Sequence, residues 1–213
     1  LKTPLTTISG YAQMISNGMA KAEDIKEFGR KIEKESDRLL TLIDDIINLS
    51  NIDEQGSIEN PENIDLSLVT EEAICVLEKA AKERGIQIYY TKIPTFIKGN
   101  VTLVSELVYN LLDNAIKYNK DNGKITVFVG ESAKGVELSV KDTGIGIPPE
   151  DTERIFERFY RVDKSHSKKV GGTGLGLSIV KHVCACHNAT IRVKSKVGKG
   201  TTIYVTFPNN VNN

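Results

Sequence analysis

The chain has 213 residues, 39% of them hydrophobic, and its 28 lysines and arginines balance 28 aspartates and glutamates. The length permits one or two domains, and the zero net charge argues against a nucleic-acid binder, which carries a basic excess. No apolar run long enough to span a membrane and no signal peptide is visible, and three cysteines are too few for a disulfide framework. We therefore expect a cytoplasmic location and, because the chain begins at Leu1, a fragment of a longer protein.

The first 55 residues carry the pattern of two amphipathic helices. Apolar side chains recur every three or four residues over 1–18 and 24–52, and charges occupy the other face of the second stretch. A helix pair with one apolar stripe buries that stripe poorly alone, so we expect two copies to form a dimeric four-helix bundle. The alternative is that the pair packs against the rest of its own chain.

Residues 56–61 have the composition of a linker, and mixed helix and strand patterns follow them. The predicted elements are a strand at 64–68, a helix at 70–83 ended by Gly85, a strand at 86–93, a helix at 103–118, strands at 125–129 and 136–141, a helix at 175–186 and strands at 190–194 and 201–207. Without regular β-α-β alternation, this order predicts an α/β sandwich over 62–208, with helices on one face of a mixed sheet. The whole chain is then of the α+β class, with a disordered tail at 209–213.

Two glycine-containing segments have the chemistry of a nucleotide site. Asp142 ends a strand before Gly144 and Gly146, so its carboxylate can accept a hydrogen bond from an amino group while the glycines allow close backbone approach. Residues 171–177 place four glycines before a helix, where free backbone N–H groups and the helix N-terminus suit phosphates. Taken alone, each segment is also compatible with an ordinary turn or a flexible loop.

A third segment places polar side chains on one helix face. Asn110, Asn114 and Lys117 are spaced i, i+4 and i+7, and apolar residues surround them. Amide oxygens suit a hard cation such as Mg²⁺, and lysine suits phosphate. A solvated polar face is the alternative, but it fits less well with the apolar neighbours.

Together the motifs resemble the ATP-binding domain of sensor histidine kinases, in the wider superfamily with gyrase, MutL and the heat-shock chaperone ATPases. The asparagine box, the Asp-x-Gly-x-Gly box, the segment at 156–161 (Phe-Glu-Arg-Phe-Tyr-Arg) and the Gly-x-Gly-x-Gly box occur in the family's order. Residues 1–5, Leu-Lys-Thr-Pro-Leu, resemble the family's H-E-L-K-T-P-L box without its first two residues. The resemblance therefore implies a phosphoacceptor histidine two positions before Leu1.

The resemblance also implies roles for individual residues. The implied catalytic residues are Asn110, Asn114, Lys117 and Thr3, with Asn114 as the Mg²⁺ ligand and Thr3 orienting water during dephosphorylation of a response regulator. Asp142 would accept a hydrogen bond from the adenine amino group. The other implied nucleotide contacts are Tyr118, Gly144, Gly146, Ile147, Phe159, Gly172, Thr173, Gly174, Leu175 and Gly176. Residues 148–172 resemble a mobile ATP lid held by Phe156 and Phe159, with Lys164, Lys168 and Lys169 as further phosphate contacts.

The implied function is that of a protein-histidine kinase that uses ATP and Mg²⁺, forms a homodimer through the hairpin and passes phosphate to a response regulator receiver domain. Membrane attachment would come only from an upstream part. The alternative is an ATP-hydrolysing member of the superfamily, which carries a glutamate four residues before the metal-binding asparagine. Asn110 occupies that position and cannot act as a general base. A non-catalytic nucleotide-binding module is disfavoured by the intact motifs.

The remaining cysteines and histidines do not form a recognisable site. Cys184, Cys186 and His187 lack a second ligand cluster, so the spacing favours buried helix positions over a metal site. His166, His182 and His187 lack the sequence box of a phosphoacceptor. We expect His166 in an exposed loop and the other two on the surface at the last helix.

Overall fold

The computed structural model describes residues 2–54, 60–162 and 173–209, and within α2 and at the first residues some side chains lie outside the description. The elements in chain order are α1 (Lys2–Ser16), α2 (Ala22–Glu54), β1 (Glu62–Asp65), α3 (Leu66–Glu83), β2 (Gln87–Thr91), β3 (Phe96–Gly99), α4 (Val101–Lys117), β4 (Lys124–Ser132), β5 (Gly135–Asp142), α5 (Gly176–Cys186), β6 (Thr190–Lys196) and β7 (Gly200–Phe207). Short 3-10 turns lie at Pro149–Asp151 and Arg154–Phe156.

The main sheet has the strand order β2-β4-β5-β7-β6, in which only β2 and β4 pair in parallel. Every second residue of the central strands points into the core, as Ile125, Val127 and Leu138 do. Helices α3, α4 and α5 cover that face with Leu77, Leu107 and Ile179, among others. The predicted α/β sandwich, with helices on one face of a mixed sheet, is confirmed.

The first two helices form the predicted hairpin. The rings of Tyr11 and Phe28 lie 5.0 Å apart between the two helices. Further along α2, Leu42 is buried and Ile46 packs against the main core, where α2 contacts α5. The hairpin therefore buries part of its apolar stripe against its own chain and leaves another part exposed. None of the helices in the described ranges has the unbroken apolar length that crossing a lipid bilayer requires.

The prediction of a strand at 64–68 is wrong beyond Asp65, and the helix begins four residues earlier than predicted. Oδ1 of Asp65 accepts hydrogen bonds from the N–H groups of Ser67 at 2.9 Å and Leu68 at 3.3 Å. This N-cap provides acceptors for the first free N–H groups of α3 and so starts the helix at Leu66. Strand β3 was not predicted; it pairs antiparallel with β1 in a separate two-stranded sheet.

The end of α3 is tied to the end of α4. Gly85 has the predicted capping role, with φ of +65° and an N–H that donates to the Lys82 carbonyl at 3.0 Å. The neighbouring Arg84 guanidinium donates to the carbonyls of Lys117 at 3.0 Å and Asn119 at 2.8 Å. The Lys117 carbonyl belongs to the last turn of α4, where carbonyls have no partner within the helix, and Asn119 lies just beyond the cap, so Arg84 holds the end of the helix that carries the asparagines.

The prediction that His187 lies on the surface is wrong. Its ring is buried, with Nδ1 2.8 Å from the Val183 carbonyl, and Nε2 accepts the N–H of Asn100 at 3.1 Å. Burial lowers the pKa of His187, consistent with a neutral ring that links the end of α5 to the N-cap of α4. Cys184 is buried and Cys186 half-buried, as expected of helix positions. His166 lies outside the described residues, among which no metal-ligating cluster occurs.

Candidate functional site

Two asparagines on α4 present their amide groups in the same way. Nδ2 of Asn110 donates to the Glu106 carbonyl at 2.9 Å, and Nδ2 of Asn114 donates to the Asn110 carbonyl at 2.8 Å. Both side chains are half-buried, while the opposite face of the helix is packed in the core. Because the amide hydrogens bind the preceding turn, each Oδ1 remains an acceptor of the kind that a hard cation prefers.

Lys117 lies one turn beyond Asn114 on the same helix. Its ammonium is 2.6 Å from Asp113 Oδ2, and its side chain is 37% exposed. The ion pair places a cation next to the asparagines without burying it, so it can reach an anion bound there. Tyr118 ends the helix, and its carbonyl accepts the N–H of Ile145 at 3.1 Å.

The first turn of α5 lies directly against the two asparagines. A Cβ atom at Gly176 would come within 2.7 Å of Asn110 Oδ1 and 3.3 Å of Asn114 Nδ2. Free N–H groups and the helix dipole make this end of α5 suitable for phosphate, and the side chains opposite it are suitable for a cation. Leu175 is fully buried, and its N–H donates to Thr173 Oγ1 at 3.3 Å, which anchors the turn before the helix.

If this site binds Mg-ATP, as the resemblance implies, Gly176→Ala should lower the affinity about tenfold, because the methyl group displaces the amide of Asn110 at a cost of about 1.4 kcal/mol. Calorimetric titration with Mg-ATP measures the change. Gly29→Ala is the matched control, since a Cβ there meets nothing within 4 Å. Equal affinities for the wild type and Gly176→Ala would show that the α4–α5 contact does not form part of the nucleotide site.

Phe159 and Gly174 meet at the base of the segment predicted to be a lid. The N–H of Phe159 donates to the Gly174 carbonyl at 2.9 Å, and both residues have positive φ values, +64° and +77°. Phe159 is 56% exposed, and its hydrogen bond to Gly174 is made by the backbone. Phe156, the other residue predicted to hold the lid, is half-buried.

Asp142 ends β5 and is held by two backbone donors. Its Oδ1 accepts the N–H of Gly144 at 2.7 Å and the N–H of Thr201 at 3.2 Å. Burial raises the pKa of the Asp142 carboxyl, and these two donors oppose that rise. Both donors bind Oδ1, and no other described residue donates a hydrogen bond to Oδ2, so Oδ2 remains available to a ligand.

The glycines after Asp142 press the loop against its neighbours. A Cβ at Gly144 would lie 2.1 Å from the Tyr118 carbonyl oxygen, and one at Gly146 would lie 2.2 Å from the carbonyl oxygen of Lys196. Gly146 also has φ of +72°. The loop is thus packed between the end of α4 and the β6–β7 hairpin, so the Asp142 region adjoins the helix that carries the asparagines.

The structure brings most of the predicted residues into one continuous set of contacts. The set runs from Phe159 and Gly174 through Gly176, Asn110 and Asn114 to the end of α4, and from there to Asp142 and Ile147. The side chain of Thr3 and all of Gly172, Lys164, Lys168 and Lys169 lie outside the described residues.

Two hydroxyl groups beside the Asp142 loop are not among the predicted site residues. Oγ of Ser195 accepts the N–H of Ile147 at 2.8 Å and lies 2.8 Å from Oγ1 of Thr201. Both side chains are on the inward, mostly apolar faces of β6 and β7. The alternation of β6 could have indicated the position of Ser195, because it places this residue on the same inward face as Ile191 and Val193.

Two family models match different parts of the chain. A family model described as "Histidine kinase-, DNA gyrase B-, and HSP90-like ATPase" matches residues 99–211, and one described as "His Kinase A (phospho-acceptor) domain" matches residues 1–55. The sensor-like histidine kinase SenX3 of Mycobacterium tuberculosis is 36% identical over 210 residues, which cover 98% of this chain and 51% of SenX3. This chain therefore spans about half the length of the curated relatives it matches.

Two solved structures have a similar fold. The mycobacterial sensor histidine kinase MprB is 32% identical and superposes with a TM-score of 0.60 over 70% of this chain and 97% of the MprB chain. The Acinetobacter baumannii histidine kinase AdeS is 24% identical, with a TM-score of 0.72 over 98% of this chain and 97% of its own. The second likeness extends the shared fold to the helical hairpin.

Proposed function

The chain belongs to the sensor histidine kinases of two-component systems, and from that premise we propose that its α/β part binds Mg-ATP and delivers the γ-phosphoryl group to a histidine. The acceptor would be the histidine that precedes Leu1 in the resembling box. The observation that carries the proposal is the meeting of Asn110 and Asn114 with the first turn of α5 at Gly176. It combines cation-binding oxygens with phosphate-binding N–H groups in one place.

Each residue then has a distinct task. Asn114, with Asn110 beside it, would hold Mg²⁺, which neutralises charge on the phosphates when bound. Lys117 would contact a phosphate oxygen, and the first turn of α5 would orient the triphosphate. Asp142 would fix the adenine by accepting a hydrogen bond from its amino group at Oδ2. Catalysis would rest on positioning and charge neutralisation, the terms that dominate phosphoryl transfer.

Asn110 supports a kinase over the alternative, an ATP hydrolase. A hydrolase needs a general base within hydrogen-bonding reach of the attacking water, and an amide cannot accept its proton. Here Nδ2 of Asn110 also donates to the Glu106 carbonyl one turn away, which holds the amide in place. We expect slow phosphate release from Mg-ATP by the chain alone; rapid steady release would support the hydrolase. The direct test is whether the label of γ-labelled Mg-ATP is transferred to a chain that contains the acceptor histidine.

The partners follow from the same proposal. The phosphohistidine would donate its phosphoryl group to an aspartate on a response regulator receiver domain. Thr3, which follows the acceptor in the resembling box, would orient the water that hydrolyses the phosphoaspartate when the kinase dephosphorylates the response regulator.

We also propose that the hairpin is a dimer interface. Leu40, Ile43 and Ile47 recur at i, i+3 and i+7 on α2 and are 60%, 40% and 51% exposed in the single chain. Between these positions, Leu42 is already buried and Ile46 packs against the core of its own chain. The exposed stripe is thus left for a second copy, which would complete a four-helix bundle.

We expect the chain to sediment as a dimer at micromolar concentration and Leu40→Glu with Ile43→Glu to sediment as a monomer, because each charge would have to be buried in the apolar interface. Lys26→Glu, a charge reversal at an exposed position of the same helix, should leave the dimer intact. A monomeric wild type, or a double variant that remains dimeric, would argue against this interface.

A further inference from the structure

We propose that Ser195 is a positioning residue of the adenine pocket, which holds the Asp142 loop in register with the β6–β7 hairpin. The inference rests on the proposed function, because it assigns to Ser195 the task of keeping Asp142 in place for adenine. None of the sequence motifs includes Ser195, which lies 53 positions beyond Asp142 on the last hairpin.

Ser195 Oγ has three polar neighbours at hydrogen-bonding distance. It accepts the N–H of Ile147 at 2.8 Å, lies 2.8 Å from Oγ1 of Thr201 and lies 3.2 Å from the carbonyl oxygen of Gly200. A hydroxyl has one hydrogen and two lone pairs. All three contacts are satisfied together if Ser195 donates to Gly200 and accepts from Ile147 and Thr201.

The same residues lead directly to the Asp142 carboxylate. Thr201, held through its hydroxyl by Ser195, donates its backbone N–H to Oδ1 of Asp142 at 3.2 Å. Ile147 lies at the other end of the loop that begins at Asp142. The Ser195 side chain therefore hydrogen-bonds both to this loop and to the strand whose N–H orients the carboxylate.

The backbone around these contacts leaves little room for adjustment. A Cβ at Gly200 would lie 2.1 Å from the Asp142 carbonyl oxygen, and one at Gly146 would lie 2.2 Å from the Lys196 carbonyl oxygen. Since loop and hairpin are already in contact, a shift of either one moves the carboxylate relative to α4. Loss of the Ser195 hydroxyl should therefore displace Oδ2, the oxygen available to adenine.

The backbone pairing of the β6–β7 hairpin does not depend on the side chain of Ser195. Strands β6 and β7 pair through seven registered residue pairs, from Thr190 with Thr206 to Lys196 with Gly200. The Ser195 hydroxyl takes no part in this backbone pairing: it contacts Gly200 and Thr201 across the hairpin and links the hairpin to Ile147 of the Asp142 loop. Its removal should thus affect base recognition more than the stability of the fold.

The experiment compares the wild type with Ser195→Ala by calorimetry, using ATP and inosine triphosphate, which lacks the amino group. We expect Ser195→Ala to bind ATP about five- to tenfold more weakly, as for one lost hydrogen bond. Inosine triphosphate should bind almost unchanged, so the preference for ATP shrinks. Ser139→Ala is the matched control, because the Ser139 side chain lies on the outward face of β5 and its hydroxyl makes no hydrogen bond among the described residues.

A second readout does not depend on nucleotide. Hydrogen exchange of the Ile147 amide should be slow in the wild type and faster in Ser195→Ala, because its acceptor is gone. Unchanged ATP affinity, or equal losses for both nucleotides, would overturn the positioning role while leaving the proposed function intact. A wild type that binds neither nucleotide would overturn the proposed function itself, and the role of Ser195 with it.

Discussion

Asp142→Asn is expected to weaken ATP binding by about ten- to a hundredfold, because a hydrogen bond to a charged group contributes about 1.5–3 kcal/mol. The substitution preserves the shape of the side chain and its capacity to accept from backbone N–H groups. It removes the charge and replaces one oxygen with a donor. The effect should therefore be confined to recognition of the base.

The geometry determines which side of the new amide faces the ligand. Gly144 and Thr201 both donate to Oδ1, so the amide oxygen of an asparagine would occupy that position. Its Nδ2 would then take the place of Oδ2 and point its hydrogens at the amino group of adenine. Two donors would face each other where the wild type pairs a donor with a carboxylate.

Calorimetric titration of the wild type and Asp142→Asn with Mg-ATP measures this effect. Asp24→Asn is the matched control, since Asp24 is half-buried in the first turn of α2 and lies far from the loop in sequence and in the fold. Unchanged ATP affinity in Asp142→Asn would show that the adenine pocket does not lie at the end of β5.

Asn114→Ala is expected to lower the rate of phosphoryl transfer by about a hundredfold or more, because the metal supplies several kcal/mol of charge stabilisation. The substitution removes the Oδ1 that its own Nδ2 contact with the Asn110 carbonyl leaves available. That contact is a local bond within one helix, so its loss should change the stability of the fold little.

Single-turnover transfer, measured over a range of Mg²⁺ concentrations, separates a metal defect from a general loss of nucleotide affinity. The variant should need far more Mg²⁺ or fail to respond to it. Asn63→Ala, at an exposed position of β1, is the matched control. An Asn114→Ala protein that transfers phosphate at the wild-type rate would exclude Asn114 as the metal ligand.

Much of the fold could be predicted because periodicity is strong in its long elements. The hairpin helices, α4 and the β6–β7 hairpin all carry clear apolar repeats, and all were confirmed. The predicted first strand is too long because the apolar residues at 64, 66 and 68 alternate with polar or small residues, as they do in a strand. The capping carboxylate of Asp65 decides otherwise, since it starts a helix at Leu66.

The site residues could be predicted because each one belongs to a local sequence motif. Contacts between distant segments could not be predicted from the sequence. His187 was expected at the surface, yet α5 ends over the N-cap of α4 and buries its ring. Ser195 was overlooked because a serine in a strand carries no motif of its own. Its partners, Ile147 and Thr201, become neighbours only when the sheet brings β6 beside the Asp142 loop.

The most direct test of the proposed function is phosphoryl transfer from γ-labelled Mg-ATP between two chains. One is this chain, and the other is a longer version that extends upstream of Leu1 through the implied acceptor histidine and carries Asn114→Ala. Acid-labile, base-stable label on the longer chain is the predicted result, since this is the stability of a phosphohistidine. No label on the longer chain, with free phosphate accumulating instead, would contradict the kinase and support an ATP hydrolase.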